Sequence, residues 1–348
     1  MIRGAALNGV STYHLLDHLG IISVIMGIPY LMHDPEQFEL AQKYYPEIQA
    51  ELKEPRTLTP SYLFQHFDAL FLSEYYASGG IKAHFEPMEE LFDKKMRVVH
   101  CPHGFSDKSY FLKLCAYEEI SLIYGQHMLD MLKDCGVLEA LKCYVISGNY
   151  RYTYYKKHQE FYRQIVETEV LSRFQKQQQV ILYAPTWNDE MQASTFLEAA
   201  HHVIGGMPDH YNMIVKLHPH LEINDIATLY QVMSRYEDKS NVLFLTRFPI
   251  VYPLLAYSDL YIGDASAVGY DFLAFNKPMF FMSRGITHPL YRCGVEVLPT
   301  EYSEIYPIIE KSRALEPALK KVREEMYQYT FGKEKSFLQL KEEILKVL

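Results

Sequence analysis

The sequence predicts an α/β protein made of two doubly wound Rossmann-like domains facing a cleft. Three observations predict it. Short buried apolar runs alternate with helical spacing through the first half, a charged helical stretch over 151–179 interrupts the alternation, and the same alternation restarts and runs through Met282. A chain of 348 residues also exceeds one ordinary core and suits two domains of about 150 to 170 residues each.

Taken in order, Tyr13 to Met26 has helical spacing, Ile28 to His33 reads as a strand, and Ala69 to Ser73 and Arg97 to Cys101 read as further buried strands. Gly125 to Cys135 is helical with Gly136 as its stop, and Tyr144 to Ser147 is the next strand. The stretch "RYTYYKKHQEFYRQIVETEVLSRFQKQQQ" is charged, carries no second core and reads as the connection between domains. Beyond it come strand Val180 to Ala184, helix Ser194 to Val203, strand Tyr211 to Leu217, helix Ile226 to Tyr236 and strand Val242 to Thr246. A βαβ unit follows, with strand Asp259 to Ile262, helix Val268 to Phe275 and strand Pro278 to Met282. Two helices, about 303 to 327 and 333 to 348, complete the chain. The expected division is one Rossmann-like domain over 1–165, a second over 175–330, and 331–348 as a helix crossing back to the first. Two such domains have the layout of a GT-B glycosyltransferase, and that layout alone gives no function.

Composition narrows the classes. Apolar residues make up 49% and charged residues 22%, as in a folded globular protein, and the net charge of −9 provides no general basic field for nucleic acid or anionic lipid. Five cysteines, with no Cys-x-x-Cys pair and one necessarily unpaired, fit a reducing cytosol. The apolar stretch Leu19 to Met32 is too short to span a bilayer, is broken by Pro29, and follows His14, Asp17 and His18, which a signal peptide would not carry. The expected location is cytoplasmic, with peripheral contact at the inner face of the membrane left open, and no cofactor is expected.

The informative residues collect at the carboxyl ends of the expected strands, the end that faces a ligand crevice in a parallel sheet. "VVHCPHGFSDK" places His103-Gly104 there, with Lys108 on the same loop. The glycine lets backbone pass close to a ligand and the histidine titrates where a general base must, although a hydrogen-bonded loop histidine would look the same. "ILYAPTWND" ends at Pro185-Thr186-Trp187, where the sole tryptophan either lines a pocket or covers the core. "MIVKLHPH" ends at His218-Pro219, the proline holding His218 extended, with His220 the weaker candidate. In "DLYIGDASAVGYDF" the knot Asp264-Ala265-Ser266-Ala267 precedes a helix, so Asp264 or Ser266 either caps it or sits over a bound anion. Asp271, seven residues after Asp264, would share a helix side with it and serve a ribose hydroxyl or a solvated face. His14 and His18 lack a third ligand and a His-Glu-x-x-His pattern, so no metal is assigned.

Taken together, "HGFSDK", "YAPTWND", "KLHPH" and "SDLYIGDASAVGYDFLAFNKPMFFM" resemble the CDP-glycerol glycerophosphotransferase family, which includes the teichoic acid polymerases. The likeness runs from about Val98 to Met282. It implies a GT-B fold with 1–165 as the acceptor side and 175–330 as the nucleotide-donor domain, His103 as the base that activates an acceptor hydroxyl, His218 on the donor diphosphate and Ser266 binding phosphate. Gly104, Lys108, Pro185, Thr186, Trp187, Pro219, Asp264, Ala267 and Asp271 would line the substrate sites. The chain departs from the family at Asn188, usually arginine, at Ala267, usually serine, and at "GNYRY", which keeps only Arg151 of the usual Pro-Arg-x-Asp.

The resemblance implies transfer of glycerol phosphate or a related polyol phosphate from a CDP-activated donor to a glycan or lipid-linked acceptor, with release of CMP. Two alternatives stand beside it: a nucleotide-sugar GT-B glycosyltransferase or UDP-sugar 2-epimerase-like enzyme, and a non-catalytic nucleotide-binding protein.

Overall fold

A computed structural model describes residues 2–8, 13–74, 81–187, 194–224 and 226–348. The chain divides into one unit formed by Met1–Tyr154 with Tyr329–Leu348 and a second formed by Tyr155–Gln328.

The first unit carries β1 (Gly4–Leu7), β2 (Tyr30–Met32), β3 (Ala50–Leu52), β4 (Ala69–Leu72), β5 (Arg97–His100), β6 (Ile120–Ile123) and β7 (Tyr144–Ile146). They form one sheet in the order β3-β2-β1-β4-β5-β6-β7, with every pairing parallel. A parallel sheet is covered on both faces, which is why β4 reads as an unbroken apolar run and why β4 and β6 are buried throughout.

The second unit carries β8 (Gln179–Ala184), β9 (Tyr211–Lys216), β10 (Val242–Leu245), β11 (Leu260–Gly263), β12 (Met279–Met282) and β13 (Val295–Val297). Their order is β10-β9-β8-β11-β12-β13, again parallel throughout. Strand order reverses between β8 and β11, the switch point at which doubly wound sheets leave a crevice beyond their carboxyl ends. Tyr183, Met213, Val215, Ile262 and Phe280 pack with Phe196 and Val203 of one helix and Ile305 and Ile309 of another to fill this core. Arg323 is fully buried in the same unit, where Glu316 (2.7 Å), the Asn276 side-chain Oδ1 (2.8 Å) and the Cys293 backbone oxygen accept from its guanidinium.

Three expected helices differ in detail. Tyr13 to Met26 is a 3-10 turn, Tyr13–Asp17, followed by the helix Leu19–Met26. The break lies beside Asp17, which forms a buried ion pair with Arg151. The stretch 303–327 breaks into Ile305–Lys311, a 3-10 turn, and Glu316–Phe331, because Pro317 has no N–H to continue the first helix and favours the first turn of the next. The helix expected over Val268 to Phe275 is Ala267–Phe272 closed by the 3-10 turn Leu273–Phe275, with Asn276 left-handed at φ 50°. Among the described residues no helix is long and apolar enough to cross a membrane.

Candidate functional site

At the switch point of the second unit, β8 and β11 run in register with Ala184 opposite Gly263. A side chain on Gly263 would meet the Ala184 carbonyl oxygen at 2.8 Å, so a glycine is required for the two strand ends to approach this closely. Pro185-Thr186-Trp187 leaves one strand and Asp264-Ala265-Ser266 the other, at the same edge of the sheet.

Asp264 ties these loops together from beneath. It is fully buried, its Oδ2 accepts the Thr186 N–H at 2.9 Å and the Thr195 N–H at 3.4 Å, and its Oδ1 accepts from the Thr195 hydroxyl. Burial pushes the Asp264 carboxyl up to about 7, against the pull of those donors and of the Arg284 charge. Asp264 therefore shapes the floor of the crevice and does not cap the helix.

Ser266 is the N-cap residue of Ala267–Phe272, but its hydroxyl makes no capping bond. It lies 3.3 Å from the Tyr261 hydroxyl, which also reaches the Ala184 carbonyl oxygen at 3.4 Å. Ala267 beside it is half-buried. Asp264 precedes the helix, so the two-turn spacing that would pair it with Asp271 does not apply. Asp271 is buried and accepts from the Tyr252 hydroxyl at 2.8 Å, which rules out a solvated face for it.

Trp187, His218 and His220 come together at the neighbouring strand end. The Trp187 ring is half-buried over the core, 4.8 Å from the His220 ring and 6.1 Å from that of His218, and the two imidazoles stack at 5.3 Å and 17°. Pro219, itself buried, opens the helix Pro219–Asn224, and His218 Nδ1 accepts the His220 N–H at 3.2 Å. A ring nitrogen that accepts carries no proton, so in the neutral ring Nε2 holds it and is the donor on offer to an anion.

Arg284, which the motif reading missed, follows the carboxyl end of β12 on the same edge of the sheet. Its guanidinium pairs with Glu198 at 2.7 Å and lowers the Asp264 carboxyl's affinity for a proton. Its loop is held by Tyr302, whose hydroxyl donates to the Ser283 carbonyl oxygen at 2.9 Å, and by the Ser283 hydroxyl, to which the Gly285 N–H donates. The available signal was a cation directly after a buried apolar strand, "FFMSRG". Asn188 lies outside the described residues.

In the first unit His103 follows β5 and is exposed, and Lys108 is half-buried at the start of the 3-10 helix Ser109–Tyr117. Gly104 has φ 121°, a region that favours glycine, so the His-Gly pair is a real backbone requirement here. The Gly104 N–H donates to the Tyr124 hydroxyl at 3.0 Å, and that hydroxyl donates to the Pro102 carbonyl oxygen at 3.0 Å. The His14 ring meets that of His103 edge-on at 5.9 Å. Burial, then His103, lowers His100 to about 3, and burial with the charges of Arg151, His103 and His14 holds His18 well below the usual histidine range. A positive charge in this cluster is thus excluded from His18 and His100, while His103 keeps contact with solvent. Arg151 is buried against Asp17, whose carboxylate also accepts from Tyr45 at 3.3 Å.

Residues 147–335 match the family model described as CDP-glycerol:poly(glycerophosphate) glycerophosphotransferase. That stretch contains Trp187, His218, Asp264, Ser266 and Arg284, while His103 lies ahead of it. A teichoic acid glycerol-phosphate primase of Bacillus subtilis is 33% identical over 108 residues, 30% of this chain and 26% of that protein. A second, from Bacillus spizizenii, is 24% identical over 202 residues, 56% of this chain and 49% of that protein. The chain thus aligns with no more than about half the length of these curated relatives. Among solved structures, the wall teichoic acid polymerase TagF superposes with a TM-score of 0.67 at 12% identity, over 99% of this chain and 88% of that one. A UDP-GlcNAc 2-epimerase from Neisseria meningitidis superposes with a TM-score of 0.56 at 10% identity, over 99% of both chains. These two likenesses establish a GT-B-like fold. With more than half of its length matched by the family model, the chain belongs to the CDP-glycerol:poly(glycerophosphate) glycerophosphotransferase family.

Proposed function

We propose that this protein is a transferase that moves glycerol phosphate, or a related polyol phosphate, from a CDP-activated donor to a glycan or lipid-linked acceptor and releases CMP. The observation that carries the reading is the tie between Asp264 and Thr186 at the switch point, inside the stretch matched by the family model. It sets the Thr186-Trp187 and Ser266 loops side by side, where doubly wound sheets take nucleotides.

In this reading the second unit holds the donor. The Ser266 hydroxyl and the His218 Nε2–H donate to diphosphate oxygens, and Arg284 supplies the cation that the family usually draws from the position of Asn188. Gly104, Lys108, Pro185, Thr186, Trp187, Pro219 and Ala267 line the substrates, while Asp264 and Asp271 act through the packing beneath. On the first unit His103 takes the proton of the acceptor hydroxyl as its oxygen bonds to the phosphorus bearing glycerol. The bond from that phosphorus to the CMP oxygen breaks, and CMP leaves with the electron pair, its growing charge met by His218 and Arg284. A lipid-linked acceptor would bring the protein to the cytoplasmic face of the membrane.

A ligand that binds only the folded state raises the melting temperature in proportion to its affinity. A panel of CDP, CMP, UDP, CDP-glycerol and UDP-sugars tests the donor class. CDP and CDP-glycerol should raise it most, and a larger shift with UDP or a UDP-sugar would overturn the reading.

A further inference from the structure

The groups that meet the Tyr124 hydroxyl in the first unit include the Pro102 carbonyl oxygen at 3.0 Å, the Gly104 N–H at 3.0 Å and His18 Nδ1 at 3.4 Å. A hydroxyl has one proton. The carbonyl can only accept, so the Tyr124 proton goes to Pro102, and the hydroxyl oxygen accepts from Gly104. His18, kept neutral by its burial and its charged neighbours, must then donate from Nδ1, which fixes its tautomer.

Pro102 and Gly104 flank His103. One side-chain atom therefore pins the backbone on both sides of the histidine, and it does so at a glycine whose φ of 121° other residues rarely adopt. Tyr124 itself is buried at 2% exposure, stacked on Tyr150 at 6.3 Å and 7° and met edge-on by Phe331 at 5.8 Å. An exposed histidine on a loop would otherwise sample many directions, and a catalytic group displaced by about 1 Å can lose about a hundredfold in rate.

We propose that Tyr124 is a positioning residue for His103, and that its hydroxyl, seated against His18, holds the imidazole in the direction from which it takes the acceptor proton. The inference rests on the reading of His103 as the base.

The test is Tyr124→Phe, which keeps the ring and its stacking and removes only the hydroxyl. CMP release from CDP-glycerol is followed with a short glycerol phosphate oligomer as the acceptor probe, in the otherwise native chain and in a His103→Ala background. With His103 present, kcat should fall roughly 10- to 100-fold with the donor KM within about twofold. In the His103→Ala background the same change should do less than about twofold, because its effect passes through the missing imidazole. If Tyr124→Phe does not fold, Gly104→Ala, strained at the same backbone, takes its place: it should lower kcat with His103 present and do less than about twofold in the His103→Ala background, and an equal loss in both backgrounds would overturn the proposal. An undiminished effect in the His103→Ala background would make Tyr124 merely structural and overturn the proposal. So would a normal kcat for Tyr124→Phe alongside an inactive His103→Ala, and there the base reading would stand. Full turnover by His103→Ala would remove the base reading and the positioning role together.

Discussion

The Asp264 carboxylate accepts the Thr186 N–H at 2.9 Å, and this one bond joins the two loops at the switch point of the second unit. Its pH dependence follows from burial. The folded-state carboxyl titrates at about 7, above its ordinary 3.8, so the protonated form is the one the fold favours. That contribution is fully present below about pH 4 and is lost as pH rises through about 7. Asp264→Asn can keep the pattern, with its oxygen accepting from Thr186 and its amide donating to the Thr195 hydroxyl, and it carries no charge. The melting temperature of the variant relative to the native protein should therefore climb between pH 5 and pH 8. Two parallel curves would show that Asp264 does not titrate in this range.

Ser266→Ala should weaken CDP binding by about 1 to 2 kcal/mol with little change in melting temperature. The fold tolerates the loss because Tyr261 keeps its bond to the Ala184 carbonyl oxygen when the Ser266 hydroxyl is removed. Calorimetric titration with CDP checks this, and unchanged affinity would take Ser266 out of the site.

Arg284 and Glu198 predict opposite signs. Arg284→Gln removes a cation from the crevice and should weaken CDP binding by about 1 kcal/mol, an allowance reduced for its partial exposure. Glu198→Gln releases the guanidinium from its 2.7 Å partner and should tighten binding. If both variants shift affinity in the same direction, the pair serves the surface and not the donor.

Because Trp187 is the sole tryptophan and lies against both imidazoles, its fluorescence reports on this corner of the crevice. CDP should change the emission of the native protein, and His218→Ala should lower both donor affinity and turnover. His218→Gln should recover affinity better than rate, since a chargeable donor counts most as charge moves onto CMP. His220 packs nearer the Trp187 ring than His218 does, so His220→Ala should alter the emission more than the turnover. Normal turnover in a folded His218→Ala protein would make the residue architectural.

Much of the second unit was legible because its strands are long, apolar and rich in branched or aromatic residues. "VILYA", "MIVK" and "LYIG" each ended on polar residues that stand at the carboxyl edge. β1 escaped notice because "GAAL" has no β-branched or aromatic residue, and its pairing with β2 and β4 comes from tertiary packing. β13, "VEV", escaped because its central residue is a glutamate and only Val297 is fully buried. At the site, spacing located the loops but not which atoms face where. Asp264 read as a helix cap or as part of an anion site and is a buried tie, and Asp271 read as a ribose contact or a solvated residue and bonds to Tyr252. Tyr124 could not be read from sequence at all, since the groups at its hydroxyl lie up to 106 residues away along the chain.

CMP release from CDP-glycerol, measured beside UDP release from UDP-sugars under the same conditions, tests the central claim most directly. The account predicts CMP release that depends on acceptor and falls by roughly two to four orders of magnitude in His103→Ala, with donor affinity nearly unchanged. UDP release from a UDP-sugar, with CDP-glycerol left intact, would contradict it.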